Sequence, residues 1–418
     1  MKILFLPAYF TPEHAASPYL GENRNQAFAE AGYKMIVITP IPTRGVSNEV
    51  YQSYKKNAHM RHEKMYNGQM SIHRFNLMPE KKLPLIRAVR YTLSCIIQFW
   101  KACFSVEAKD CDIMFISSTP PIQGAMAALI KKVKKIPLVY NLQDIFPDSL
   151  VGTGLAKEGG ILWKIGRIIE DFTYRNSDKI IVISEGFKKN IMAKGVPEEK
   201  IEVVYNWVEE DIVVNVDRKD NKLFDKYNLD RRHFYVTYCG NIGLTQNMDM
   251  LLEVAKELES IPDIQFVLIG EGAYKSRVEE IVVEENINNV TILPFQPYED
   301  ISHVFSLGDV GLVISKAGVG ANSVPSKTWS ILSASRPVLV SFDENELKDI
   351  VEKNECGIFT KSADKDAFMR SVLYLYSNRD KCVEYGKNGR SFILKHLTKK
   401  VGSARYVNIL QNILIEKL

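Results

Sequence analysis

Residues 235–252 read Tyr235-Val236-Thr237-Tyr238-Cys239-Gly240-Asn241-Ile242-Gly243-Leu244-Thr245-Gln246-Asn247-Met248-Asp249-Met250-Leu251-Leu252. A short β-branched and aromatic run enters a turn with two glycines, and the turn opens into a segment of helical period. This is a strand–turn–helix unit whose strand is buried on both faces, as in a parallel sheet covered by helices. A glycine-bearing turn opening a helix aims bare backbone N–H groups at an anion, although the same glycines would also serve a plain tight turn.

The alternation extends in both directions. Downstream, the strands expected are Phe266–Ile269, Val290–Leu293, Val310–Ile314 and Val338–Val340. Helices are expected near Met248–Leu258, Ser276–Glu285, Thr328–Ala334, Leu347–Lys353, most of Lys365–Leu394, and Val401–Glu416. Upstream, the strands are Ile3–Leu6, Met35–Thr39, Ile113–Ser117, Leu138–Asn141, Ile180–Ile183 and Val203–Tyr205, with helices between them. The charge-rich interval Glu209–Arg232 reads as a linker or exposed insertion. The pattern predicts two doubly wound α/β halves: residues 1–208, a linker 209–232, residues 233–394, and a helix in 395–418 that packs back on the first half. Ligands of such sheets bind beyond the carboxyl ends of the strands, so the strand-to-helix loops are the place to search.

Composition narrows the classes. The 418 residues are 46% apolar and 25% charged, which excludes disordered, collagen-like and disulfide-stapled chains. A net charge of +4 is too small for a dedicated nucleic-acid binder. Six scattered cysteines without a C-x-x-C pair read as buried thiols in a reducing compartment, and the histidines show no metal-ligand spacing. Asp110-Cys111-Asp112 precedes a strand, the wrong end for a metal site. The apolar start Met1–Pro7 is too short for a signal peptide, and Arg87, Arg90 and Lys101 interrupt the most lipid-like stretch, Leu83–Phe104. A cytoplasmic protein that touches a membrane from one side at most is expected.

No G-x-G-x-x-G follows the first strand and no P-loop occurs, which argues against NAD and P-loop chemistry. Gly270-Glu271-Gly272 ends a strand, where two glycines admit a ligand to the backbone and a carboxylate can accept from a hydroxyl. Leu293-Pro294-Phe295-Gln296-Pro297 is suited to edging a planar base. Val313–Trp329 carries a strand into a Gly/Ser loop and then Pro325-Ser326-Lys327 at a helix start. A lysine in a first helical turn opposes the macrodipole, and is favourable there when an anion shares the helix end. In the first half, Asp144 stands just past a strand end, where polar residues face a cleft; a helix or turn cap is the alternative, and Asp148 is the better candidate for that cap.

Taken together, these segments resemble glycosyltransferase family 4, retaining and metal-independent enzymes of the GT-B fold, with two Rossmann-like domains facing across a cleft. The likeness spans Tyr9-Phe10-Thr11-Pro12-Glu13, Ser117–Pro121, Gln143–Ser149, Ile183–Phe187, Tyr205–Val208, Gly240–Gly243, Gly270–Gly272 and Pro325–Lys327. It is nearest the fucosamine-transferase-like branch of bacterial surface-polysaccharide synthesis. The resemblance implies a nucleoside-diphosphate sugar, with uridine favoured, as donor and a lipid-linked saccharide as acceptor, with no cofactor and no metal. Gly240, Asn241, Gly243, Gln246, Ser326 and Lys327 would lie at the diphosphate, and Gly270 and Glu271 near the nucleoside. Gln296 would meet the base through its backbone, and the loop Tyr9–Ser17, with Glu13, would close over the donor.

The sequence departs from the family pattern in two places. Asn241 and Gln246 stand where many members carry Arg and Lys, and Asn322 and Ser330 where many carry two glutamates. Ser330, Glu344 or Glu346 is then expected to replace the ribose-binding glutamate. The positive field on the leaving diphosphate must come from Lys327, the loop amides and the helix N-termini. Asp144 would orient or deprotonate the acceptor hydroxyl. Lys81, Lys82, Arg87 and Arg90, with Phe99 and Trp100, would face an anionic membrane. A sugar-nucleotide 2-epimerase of the same fold and a noncatalytic nucleotide-sugar-binding subunit are the alternatives.

Overall fold

The computed structural model describes residues 1–13, 18–80, 83–152, 156–320 and 324–415. The chain divides into two compact units, Met1–Tyr205 with Gly402–Leu418, and Asn206–Val401.

The first unit is built on eight strands: β1 (Lys2–Phe5), β2 (Lys34–Pro40), β3 (His62–Met65), β4 (Met70–Phe75), β5 (Ile113–Ser117), β6 (Leu138–Leu142), β7 (Lys179–Val182) and β8 (Ile201–Val203). Their order is β3-β4-β2-β1-β5-β6-β7-β8, parallel except for the β3–β4 hairpin. Alternation sorts the side chains. Leu4, Met114 and Ile116 join Cys95, Ala127 and Ile130 on one face. Phe5 and Phe115 pack with Phe28 of the helix Pro18–Glu30 on the other. The hairpin is absent from the sequence reading because its apolar and polar residues alternate and its outer strand is charged. Its turn nevertheless carries a legible signal, Asn67-Gly68, with Asn67 in the left-handed region.

The second unit has six parallel strands: β9 (Phe234–Cys239), β10 (Ile264–Ile269), β11 (Val290–Leu293), β12 (Val310–Ile314), β13 (Val338–Phe342) and β14 (Gly357–Lys361). The order β11-β10-β9-β12-β13-β14 puts the reversal of strand order between β9 and β12. The crevice beyond that switch point is where open α/β sheets hold ligands.

Two expectations are corrected. The interval 209–232 is not an exposed linker. Leu223 and Phe224 are fully buried against Tyr235, Val267 and Leu293, Asn221 caps the helix Lys222–Lys226, and Arg218 pairs with Asp309 at 2.6 Å. One apolar pair anchors the segment despite its charge. The helical expectation for 365–394 holds, met by two helices, Lys365–Ser377 and Arg379–His396. Arg90 is buried (1% exposed), donating to the carbonyl of Met78 and to Thr43, so it presents no charge at the surface, and Phe99 packs toward the core. Lys81 and Lys82 lie outside the described residues. The last helix, Lys399–Ile415, places Tyr406 in the first unit, its ring 5.9 Å from that of Phe115 and its hydroxyl 3.1 Å from Asn141 Oδ1.

Candidate active site

The second unit brings together residues 240–246, 270–272 and Lys327. In-register pairing of Cys239 with Ile269 sets Gly240 beside Gly270. The loops touch so closely that a Cβ on Gly270 would stand 1.9 Å from the Gly240 carbonyl oxygen, and one on Gly272 would stand 2.2 Å from that of Ile242. Glycine is required at both places by contact.

Lacing the loops together consumes their amides. The N–H of Gly240 donates to Ile269 (3.0 Å) and that of Ile242 to Glu271 (2.8 Å). The N–H of Gly243 donates to the Gln246 side chain at 3.0 Å. This corrects the expectation that the amides of Gly240 and Gly243 face the anion, and it shows the Gln246 side-chain oxygen bracing the loop. Those donors hold the loop's shape. The N–H of Asn241 has no hydrogen bond among the described residues.

Lys327 opens the helix Lys327–Ser333, and its half-buried side chain runs back over β9. The ammonium lies 3.9 Å from the centre of the Tyr238 ring, and a Cβ on Gly240 would be 3.0 Å from it. It has no hydrogen bond or ion pair among the described residues. Burial pulls its pKa down to about 8, only partly offset by Cys239. A desolvated ammonium without an anion, beside a strand-end glycine, is a receptor for negative charge. Ser326 is exposed and Ser330 half-buried on the same turn and the next.

In the first unit, Asp144 follows β6 and accepts from the Ser149 hydroxyl at 3.1 Å. Burial raises its pKa, helped by the charge of Asp148, while Ser149 and the N–H of Ile145 oppose the shift. Behind it, Lys194 bridges Asp148 (2.8 Å) and the buried Glu170 (3.1 Å), which also accepts from Tyr174 at 2.6 Å. This network fixes the start of the helix Asp148–Gly152 next to Asp144. A cavity of about 300 Å³ in the same unit is lined by Arg61, His62, His73 and Lys101 and includes none of the sequence-predicted site residues.

Comparison with known proteins places this geometry. The model of Glycosyltransferase Family 4 matches residues 25–212, and that of Glycosyl transferases group 1 matches residues 219–392. The chain is a family 4 glycosyltransferase. It is similar to the putative colanic acid biosynthesis glycosyl transferase WcaI of Escherichia coli, 27% identical over 80% of this transferase and 81% of that protein. Its fold is GT-B, shared with Anabaena Alr3699/HepE in complex with UDP (TM-score 0.72, 14% identity, 99% and 100% of the two chains covered). Sucrose-phosphate synthase from Thermosynechococcus elongatus has the same fold (TM-score 0.74, 14% identity, 99% of each chain).

Several predicted residues of the transferase are engaged elsewhere. The Glu13 carboxylate is buried and accepts from the N–H groups of Phe10 (3.0 Å), Thr43 (2.8 Å) and Arg44 (2.9 Å). It ties two loops of its own unit together and is not available as a donor ligand. The Gln296 side chain accepts from Lys226 (2.9 Å) and donates to Tyr227 (2.7 Å), which leaves only its backbone for a base. Glu271 is exposed and paired with Lys275 at 2.7 Å, and Glu344 pairs with Lys348 at 2.8 Å. Glu346 begins the helix Glu346–Lys353. Asn322 and residues 14–17 lie outside the described residues.

Sequence reasoning missed Asp343. Its carboxylate accepts from the N–H groups of Gly318 (3.0 Å) and Gly320 (2.8 Å) and so shapes the loop after β12. The only sequence signal is an acid just past the end of a strand.

Proposed function

We propose that this glycosyltransferase moves a sugar, an N-acetylated amino sugar, from a UDP donor to a lipid-linked saccharide in bacterial surface-polysaccharide synthesis, with retention and without a metal. The second unit takes the donor and the first the acceptor. The observation that carries the reading is the Lys327 ammonium, unpaired among the described residues and held at the carboxyl end of β9 beside Gly240. Breaking a glycosyl–phosphate bond leaves negative charge on the diphosphate, and a pre-placed cation stabilises that charge more than it stabilises the ground state. Asp144 holds the acceptor hydroxyl, its raised pKa suiting a group that takes a proton. The biosynthetic setting is supported by the colanic acid transferase to which the chain is similar, and the nucleotide by the UDP complex of HepE.

The test is a thermal-shift screen of UDP, GDP and ADP sugars, followed by release of nucleoside diphosphate with and without a lipid-linked acceptor. A UDP-sugar should raise the melting temperature, and release should need the acceptor and survive chelator treatment. Release without acceptor would turn the reading to an epimerase. Activity lost on metal removal and restored by a divalent ion would overturn the mechanism.

A further inference from the structure

The helix Pro84–Phe104 packs one face on its unit and turns a second, apolar face outward. Its buried face mixes Arg90, Ser94 and Gln98, each no more than 2% exposed, with Cys95 and Ala102, which join the core. Gln98 donates to the carbonyls of Pro7 and Ile38, both at 2.9 Å, and accepts from Gln123 at 3.1 Å. The outward face is apolar. Leu85, Val89, Leu93, Ile96, Trp100 and Phe104 recur every three or four residues along one stripe, with Leu85 78%, Trp100 60% and Phe104 64% exposed. At about 1.5 Å per residue that stripe is about 28 Å long. A surface helix normally turns polar side chains to water, and a contiguous apolar face of this length marks an interaction surface.

The neighbouring helices of the layer continue it. The helix Ile122–Lys134 packs between Pro84–Phe104 and Ile161–Asn176, and exposes Leu129 and Val133. Ile161–Asn176 exposes Ile161, Ile165 and Ile168. No helix among the described residues is long and apolar enough to cross a membrane. The charges identify the occupant. The helices Pro84–Phe104 and Ile122–Lys134 contain Arg and Lys and no carboxylate, and Lys101, Lys132 and Lys164 are exposed around the stripe, whereas Arg87 is paired with Glu80 at 3.0 Å. Apolar and aromatic side chains rimmed by cations match the interface of an anionic bilayer.

We propose that the outward face of these three helices is a docking surface for an anionic lipid bilayer, with the helix Pro84–Phe104 lying in the interface plane. The proposal rests on the lipid-linked acceptor reading above, and it replaces the single basic stretch at 81–90 with a three-helix face centred on Trp100.

The experiment is co-sedimentation of the full chain with vesicles of phosphatidylcholine alone or with phosphatidylglycerol added, alongside the UDP-induced melting shift of each variant. Wild type should pellet with the anionic vesicles. Ile96→Asp with Trp100→Asp should lower the partition coefficient at least about tenfold, from the apolar area lost. Lys132→Glu with Lys164→Glu should remove the preference for anionic over neutral vesicles. Both variants should keep the wild-type UDP shift, because neither touches the second unit. Wild type that stays in the supernatant, or an Ile96/Trp100 variant that pellets like wild type, overturns the proposal. So does a wild type that self-associates without lipid and a variant that is monomeric, which would assign the face to a second copy. Loss of the UDP shift in wild type would refute the donor reading, and leaves the vesicle result to be judged by itself.

Discussion

Replacing Lys327 by Met keeps the length and apolar body of the side chain and removes the charge, so it separates two consequences of a buried ammonium. The pKa falls from the ordinary 10.5 to about 8, and burial is the main cause. A displacement of about two and a half pH units corresponds to about 3 kcal/mol favouring the neutral form in the folded state. Between those two pH values the unfolded chain binds more protons than the folded one, so folding stability rises with pH across that window and is lower below it. At neutral pH the charged lysine therefore costs stability, less about 1 kcal/mol returned by the Tyr238 ring. Lys327→Met should then stabilise the ligand-free protein by about 1–2 kcal/mol in denaturant titration at pH 7, and should abolish stabilisation by UDP. In wild type, UDP needs the protonated form. Its affinity should be flat below pH 7.5 and fall about tenfold from pH 7 to pH 9, with uptake of about half a proton at pH 8. Calorimetry in two buffers of different ionisation enthalpy reads both quantities. An affinity independent of pH from 7 to 9.5, or UDP stabilisation that persists in Lys327→Met, refutes the argument.

Other perturbations test the remaining parts. Gly270→Ala forces a methyl into the Gly240 carbonyl, and should cost about 1–3 kcal/mol together with the UDP shift, read by melting with and without nucleotide. Glu13→Gln swaps one acceptor oxygen for a donor facing backbone N–H groups, so chemical denaturation should show a loss of about 1–3 kcal/mol with UDP binding unchanged. The raised pKa of Asp144 should move the acid limb of kcat/KM above the ordinary aspartate range, with activity falling as pH drops and the carboxyl protonates. In Asp144→Asn that limb should vanish and turnover fall about 100-fold or more, and a limb that persists excludes the assignment. Lys316, 3.9 Å from Asp249, is already neutralised, so Lys316→Ala should reduce turnover less than the roughly 100–1000-fold expected of Lys327→Ala.

Elements buried on both faces were legible to the residue. Ile113–Ser117 and Val310–Ile314 coincide with β5 and β12, because a parallel strand inside a sheet needs an unbroken apolar run, and the half-buried edge strand β11 matches Val290–Leu293 as well. β4 alternates Ser71 and His73 with buried Met70 and Ile72, and its partner His62–Met65 is charged, so neither resembles such a run. Charge density hid the Leu223–Phe224 anchor for the same reason: composition averages over a segment, whereas burial is decided by two side chains. At the site, the glycines pointed to the two loops, and a lysine in a first helical turn pointed to Lys327. Which amides remain free was not readable, since the partners of Gly240 and Ile242 lie about thirty residues away on the adjoining strand end. Asp343 is hidden likewise, because its clasp on Gly318 and Gly320 exists only once β12 and β13 are paired.

The lost amides change how the electrostatic task is divided. A departing diphosphate carries at least two negative charges, and the loop that resembles an anion cradle has committed three donors to its own architecture. Lys275 and Lys316 stand at the same strand ends, but each is already tied to a carboxylate, Glu271 at 2.7 Å and Asp249 at 3.9 Å. Exposed pairs of that kind are worth less than about 1 kcal/mol, so an arriving anion could recruit those lysines cheaply, though each brings its carboxylate close behind. Lys327 has no such tether, and its desolvation has already been met by folding. The cost of stripping water from a cation is thereby shifted from the reaction to the stability of the protein, and every interaction the ammonium gains with the diphosphate is available at the moment of bond breaking. The uncharged Asn241 and Gln246 fit the same division: with one cation held beside Gly240, the loop is free to be rigid instead of charged.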